Sequence, residues 1–168
     1  MPLAQSLLPE FDHEMATTRK LLARTPEDRQ DFKPHPKSMS LAALALHLAT
    51  LPTWGSATMT RTEFDANPVG GPPFPRPEWA GRDALLATFD AAVRGARDAI
   101  ASASDADLMV PWALKNAGTT IFSLPRIAVL RSFVLSHTIH HRGQFSVYLR
   151  LLDVAVPSIY GPSADEPN

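Results

Sequence analysis

The sequence predicts an all-α fold, a four-helix bundle, on two observations. Four segments carry apolar residues at steps of three and four, which is the period of an amphipathic helix. One short and two long connections join these segments, and such connections are typical of bundles with crossover loops. The alternation of apolar and polar residues that an extensive sheet requires is absent. We expect one domain over residues 1–168.

The first two predicted helices differ in their regularity. The first covers about Leu3 to Ala23, where apolar residues recur on one face. The second runs from Ser40, a residue type that caps helix N-termini, to Arg61. Pro52 lies inside the second helix. Because proline removes one backbone donor, we expect a kink or a broken turn there.

Long connections precede the third and fourth helices. Glu63–Trp79 is rich in proline and glycine, which excludes regular structure and predicts a loop. The third helix covers about Arg82 to Ser102, and the fourth about Leu124 to Leu152. Between them, in Asp105–Ser123, two apolar runs flank residues 115–118. This pattern allows a short β-hairpin before the last helix.

Composition excludes several classes of protein. The 16 basic and 17 acidic side chains nearly balance, which argues against a general nucleic-acid binder. There are no cysteines, so disulfides, thiolate nucleophiles and cysteine-based zinc sites are excluded. The N-terminus lacks the basic start and long apolar run of a signal peptide, and no stretch is apolar enough for a membrane span. We therefore expect a cytoplasmic protein without membrane or nucleic-acid partners.

The fourth helix carries the informative pattern. Read at alternating steps of three and four, its core-facing residues are apolar at both ends and polar in the middle; they are Ile127, Leu130, Val134, His137, His141, Gln144, Tyr148 and Leu151. His137 and His141 are one turn apart, so both imidazoles project from one face, about 6 Å apart along the axis. That spacing lets two rings reach one metal ion.

A third histidine occupies the same kind of position on the second helix. His47 replaces an apolar residue between Leu44 and Leu51. Core-facing residues of a bundle meet at a central axis, so three histidines from two helices could converge there. Neutral imidazoles bind Zn²⁺ and Ni²⁺ well, and three protein ligands leave an open position for water or substrate.

The alternative is that these histidines are ordinary hydrogen-bonded core or surface residues. Two unpaired polar rings in an apolar seam cost free energy unless something satisfies them, and a metal ion would do so. From the residues alone, both interpretations stay open. His140 is the rival of His141, but it lies about 100° around the helix from its neighbour. We interpret His140 as a flanking or interface residue.

Two further polar residues follow the histidine pair. Gln144 lies on the same face and could orient a histidine from behind, and Arg142 lies beside the pair. Gln144 could instead be an ordinary glutamine at the edge of the core, and Arg142 an ordinary surface arginine. We identify no catalytic side chain, and expect the reacting group to be a water or thiol at the open metal position.

The stretch from Ser136 to Glu166, SHTIHHRGQFSVYLRLLDVAVPSIYGPSADE, resembles the C-terminal signature of the DinB-like (DinB/YfiT) metalloenzyme family. The H-x-x-H-H-R-G-Q run and the trailing Tyr160–Ala164 segment are its most specific parts. His47 followed by Trp54, the proline-rich loop and the third amphipathic helix agree with it.

The resemblance implies an up-down-down-up four-helix bundle, often dimeric, with a metal held by His47, His137 and His141. Family members include thiol-dependent transferases and isomerases. We therefore expect a homodimer with a zinc or nickel ion, and most concretely a thiol-dependent S-transferase acting on a small molecule. The alternatives are a metal-dependent hydrolase, or a non-enzymatic metal-binding, small-ligand-binding or stress-response protein.

The loop Glu63–Trp79 is long enough to form the rim of a substrate entrance between the second and fourth helices. Trp54 and Trp79 could line its wall, although aromatic residues in such places are more often plain packing.

Overall fold

The computed structural model describes residues 1–71 and 77–166. It contains seven α-helices, a π-helical segment and three strands in the described residues. In chain order these are α1 (Leu3–Leu22), α2 (Leu41–Thr50), α3 (Thr53–Thr60), β1 (Glu63–Asp65), α4 (Arg82–Ala101), α5 (Asp105–Met109), β2 (Pro111–Asn116), β3 (Thr119–Pro125), α6 (Arg126–Val129), the π-helical segment (Leu130–Leu135) and α7 (Ser136–Leu151).

The predicted second helix is divided into α2 and α3. The side chain of Ser40 accepts a hydrogen bond from the amide of Ala43, so the N-cap prediction is confirmed. Pro52 precedes the first residue of α3, and the helix is broken there as expected. The first and third predicted helices correspond to α1 and α4, with end points that differ by one residue.

The long helices enclose a common core. α1 packs on α4 and α7, and α2 packs on the same two helices. Leu7 and Phe11 of α1, Leu44 of α2 and Phe89 of α4 are all at most 1% exposed within one apolar cluster. Where α3 crosses α4, a Cβ atom on Gly55 would lie 2.9 Å from Cβ of Ala96, so the close approach requires glycine.

The three strands form one small sheet in the order β1–β2–β3. β1 is parallel to β2, and β2 is antiparallel to β3, so the hairpin allowed by the sequence is present. Its two-residue turn has φ values of 49° at Ala117 and 77° at Gly118, as in a type I′ turn. Asp65, at the end of β1, accepts hydrogen bonds from both amides of that turn and ties the hairpin to β1.

Three expectations were wrong in detail. The connection Glu63–Trp79 is not wholly irregular, because β1 forms within it by pairing with β2; residues 72–76 of that connection lie outside the described residues. α5 was not expected. The last helix begins at Arg126 rather than Leu124, because β3 extends to Pro125, and it includes a π-helical segment over Leu130–Leu135.

Within the described ranges, no helix combines the length and apolar content needed to cross a membrane.

Candidate metal centre

Three imidazoles from two helices meet between α2 and α7. His47 lies two turns into α2, and His137 and His141 lie one turn apart on α7. Nε2 of His137 lies 2.9 Å from Nε2 of His141 and 3.4 Å from Nε2 of His47. One ring nitrogen from each residue lies within 4.8 Å of the other two, and all three side chains are half-buried. The structure thus brings together the three residues that the sequence singles out.

The separations of these nitrogens suit one divalent ion. Zinc binds histidine nitrogens at about 2.0–2.1 Å. At that distance, nitrogens 2.9 Å and 3.4 Å apart subtend about 90° and about 110° at the ion. In the described part of the chain no carboxylate joins the group. The donor set therefore fits a metal ion and leaves a coordination position for another ligand.

Gln144 fixes the orientation of one candidate ligand. Nδ1–H of His141 donates to Oε1 of Gln144 at 2.8 Å, and the amide nitrogen of Gln144 donates to Nε2 of His140 at 3.1 Å. With its proton on Nδ1, His141 presents the Nε2 lone pair toward the other two histidines. His140 is exposed and contacts the group through Gln144 and through the His141 ring, 4.9 Å between centroids.

The surroundings keep two of the imidazoles neutral. Burial, and then the neighbouring His141, lower the pKa of His137, while the Phe133 carbonyl opposes the shift. That carbonyl does not form a well-directed hydrogen bond, since the buried Nδ1 of His137 has no hydrogen-bond partner among the described residues. Burial also lowers the pKa of His141, with Gln144 opposing. Neutral imidazole is the form that binds metal ions.

Aromatic side chains close one side of the group. The Phe133 ring lies 5.5 Å from the His137 ring, and the Trp54 ring lies 5.2 Å from Phe133. Trp54 also contacts Phe64 and the fully buried Trp112. The hairpin and β1 therefore cover the site through an aromatic layer, and Trp54 belongs to that packing.

A cavity of about 420 Å³ lies on another side and reaches the group at His141 and Gln144. The remaining residues lining it are Ser38, Met39, Leu44, Val147 and Tyr148. The connection between α1 and α2 thus supplies part of its wall, and the described residues of Glu63–Trp79 supply none. Phe64 of that loop lines a separate cavity of about 270 Å³ with Trp54, and Trp79 packs against the core.

Comparison with known proteins agrees with the fold and the motif. The sequence profile of the DinB superfamily matches residues 10–145. This chain belongs to the DinB superfamily. A stretch of 37 residues is 46% identical to the uncharacterised protein YrdA of Bacillus subtilis (strain 168), but it spans only 22% of the length of either chain.

Solved structures of DinB-like proteins share the fold of this DinB-superfamily member. A DinB-like protein from Bacillus cereus ATCC 10987 is 21% identical, with a TM-score of 0.72 and coverage of 95% of this chain and 98% of that one. The DinB-like protein YjoA of Bacillus subtilis is 18% identical, with a TM-score of 0.65 and coverage of 88% and 92%. A DinB-family protein from Exiguobacterium sibiricum 255-15 is 19% identical, with a TM-score of 0.61 and coverage of 91% and 94%.

Arg142 of this DinB-superfamily chain turns away from the histidines. It is 1% exposed, and its guanidinium lies 2.6 Å from the carboxylate of Glu14 on α1 and donates to Thr18. The hydroxyl of Tyr160, in the C-terminal tail, contacts both Arg142 and Glu14. The sequence suggested that Arg142 either supports the histidines or lies at the surface. In the structure it is buried and joins α7 to α1 and to the tail.

The sequence contained a signal for this buried pair. Glu14 lies three residues after Phe11 and four before Thr18, on the apolar face of α1. A carboxylate on such a face requires a buried partner. Tyr160, the first residue of the tail segment in the motif, therefore contacts the arginine of the histidine run in the fold.

Proposed function

We propose that this protein is a metal-dependent enzyme in which His47, His137 and His141 hold one zinc or nickel ion. The observation that carries the proposal is the convergence of three Nε2 atoms, two of whose separations fit a single ion. The lowered pKa values of His137 and His141 support it, because both rings stay neutral and able to coordinate.

An enzyme is favoured over a purely structural metal site. Structural zinc sites use four protein ligands, whereas catalytic sites use three and keep one position open. The described residues supply three histidines, and a cavity reaches the group at His141. When bound, the ion would supply Lewis acidity that lowers the pKa of a thiol or water.

The side chains around the ion have separate tasks in this proposal. Gln144 holds His141 in the tautomer that leaves Nε2 free to coordinate. Phe133 excludes water from the side next to His137. The cavity beside His141 admits the substrate.

We propose thiol-dependent S-transfer as the reaction. A small thiol would lose its proton to solvent, and its sulfur would attack an electrophilic carbon, so that a carbon–sulfur bond forms as the leaving group departs with its electron pair. Support comes from the resemblance of the motif to a family with such members. Metal-dependent hydrolysis is the other outcome that the tests below distinguish.

The proposal extends to the whole molecule. We propose a single cytoplasmic domain with the up-down-down-up order that the family resemblance implies. The packing of α1 and α2 on both α4 and α7 supports a four-helix bundle. The family resemblance supports a homodimer.

Metal analysis of the purified protein tests the centre. We expect about one divalent ion per chain, and loss of that ion in His137→Ala. His140→Ala is the matched control, because His140 is exposed and its Nε2 atom binds the amide of Gln144 rather than joining the three converging ring nitrogens. Full metal content in His137→Ala would overturn the assignment.

Activity measurements then test the reaction. The metal-loaded protein is incubated with low-molecular-weight thiols and an electrophile such as 1-chloro-2,4-dinitrobenzene, and thioether formation is followed. Turnover that disappears in His137→Ala supports S-transfer. Ester or amide hydrolysis without any thiol dependence would favour the hydrolase, and a loaded protein inactive in both assays would favour a binding protein.

A further inference from the structure

The side chains that line the cavity beside His141 favour one class of ligand. Its volume of about 420 Å³ lies within the range of small-molecule sites. No carboxylate, ammonium or guanidinium group lines it, and Met39, Leu44 and Val147 are apolar. We propose that this cavity binds the substrate through an uncharged, largely aliphatic or aromatic body, with the reacting group at the metal. This inference rests on the proposed function.

The polar ends of two side chains in the wall, Tyr148 and Gln144, already have hydrogen-bond partners. The hydroxyl of Tyr148 donates to the backbone carbonyl of Met39 at 3.0 Å, and Phe32 packs edge-on against the Tyr148 ring. Both ends of the Gln144 amide are used by His141 and His140. A charged substrate group entering here would lose its hydration without gaining an opposite charge from these side chains, which is costly.

The exposed apolar side chains at the cavity also favour an apolar ligand. Met39 is 41% exposed and Val147 is 55% exposed, one on the connection between α1 and α2 and one on α7. Tyr148 links these two elements by its hydrogen bond to Met39, so the wall is held in place without a ligand. A ligand that fills the cavity would cover part of both side chains.

Hydroxamic acids provide a probe that separates the metal from the cavity. The hydroxamate group chelates divalent ions, while its acyl chain can be varied. Zinc-loaded protein is titrated calorimetrically with acetohydroxamate, butanohydroxamate, hexanohydroxamate and succinic monohydroxamate. We expect hexanohydroxamate to bind at least about tenfold more tightly than acetohydroxamate, since each buried methylene strengthens binding. Succinic monohydroxamate, which has a carboxylate where butanohydroxamate has a methyl group, should bind more weakly than butanohydroxamate.

Two variants test whether the dependence of hydroxamate affinity on chain length arises in this cavity. Met39→Asp and Val147→Asp should abolish the dependence on chain length while metal content stays at one ion per chain. Ile121→Asp is the matched control, because Ile121 on β3 is 58% exposed and does not line the cavity. It should retain the wild-type dependence.

The outcomes distinguish the two proposals. Equal affinities along the series in a fully zinc-loaded protein, or unchanged dependence in both aspartate variants, would overturn the cavity assignment and leave the metal centre standing. A wild-type protein that takes up no metal, or binds no hydroxamate when loaded, would overturn the proposed function and this inference with it.

Discussion

Gln144 accepts a hydrogen bond from Nδ1 of His141 at 2.8 Å, and this contact determines which nitrogen of His141 is left to bind a metal. The two residues are three positions apart on α7, so the pair forms within one helical turn. Without this hydrogen bond, the proton of His141 could lie on Nε2, and that nitrogen would then have no lone pair to coordinate the metal.

Replacement of Gln144 by leucine should therefore weaken metal binding by about 10–100-fold. Leucine keeps the size of the side chain but accepts no hydrogen bond. Gln144→Glu should bind the metal at least as tightly as wild type, because a carboxylate also accepts from Nδ1–H. Competition with a chromophoric chelator gives both affinities. Equal affinities in the leucine and glutamate variants would show that Gln144 does not orient His141.

The stability of the metal-free protein should fall as the pH drops below about 6.5. The pKa values of His137 and His141 are lowered from 6.5 in the folded chain, chiefly by burial. Between the lowered values and 6.5, the unfolded chain binds protons that the folded chain does not, so protonation favours unfolding. The free energy of unfolding should be independent of these groups above that window and lowest below it.

Urea titrations of the chelator-treated protein between pH 5 and pH 8 measure this effect. The double variant His137→Ala/His141→Ala should show a smaller decrease in the free energy of unfolding over the same interval. A decrease of the same size in both proteins would assign the pH dependence to other groups.

The sequence correctly predicted those elements whose positions are determined by residues close by in the chain. The positions of α1 and α4, the N-cap at Ser40 and the break at Pro52 depend on neighbouring residues, and all agree with the structure. α5 also has a local signal, a capping box of Ser104 and Asp107.

Features that depend on distant partners were not predictable from the pattern. β1 has three residues and exists because β2 offers it backbone partners some fifty residues later. The π-helical segment has no side-chain signature. On α7, the face predicted to point inward is incomplete: Leu151 is 55% exposed, while Thr138 and Phe145, on a second face, are buried. Contact with two helices, α1 and α2, explains why α7 buries two faces.

The protein should be a homodimer in solution, as the family resemblance implies. Multi-angle light scattering at micromolar concentrations should give about twice the 18.3 kDa mass of the chain. A species of 18 kDa at every concentration would reject the dimer. The measurement is made on the metal-loaded and metal-free protein, so that any dependence of association on the ion is detected.

Loss of Arg142 should destabilise the protein more than loss of an arginine that pairs at the surface. Arg142 and Glu14 form an ion pair in which both side chains are more than nine-tenths buried. Arg142→Leu leaves the Glu14 carboxylate buried without its counter-ion, which typically costs about 3–5 kcal/mol. Arg150→Leu is the matched control. Arg150 lies on the same helix and binds Asp165 of the tail, but that pair is partly exposed to solvent, so it is worth at most about 1 kcal/mol.

Two further variants separate the charge from the packing. Glu14→Gln/Arg142→Leu should recover much of the lost stability, because no unpaired charge remains buried. Tyr160→Phe should cost only about 1 kcal/mol, since it removes one hydroxyl from the pair but keeps the ring above the Arg142 guanidinium. Chemical denaturation measures all four proteins. Metal content per folded chain should be unchanged in each, because the Arg142 guanidinium contacts α1 and the tail rather than the histidines. If Arg142→Leu is as stable as Arg150→Leu, the buried pair does not hold α7, α1 and the tail together.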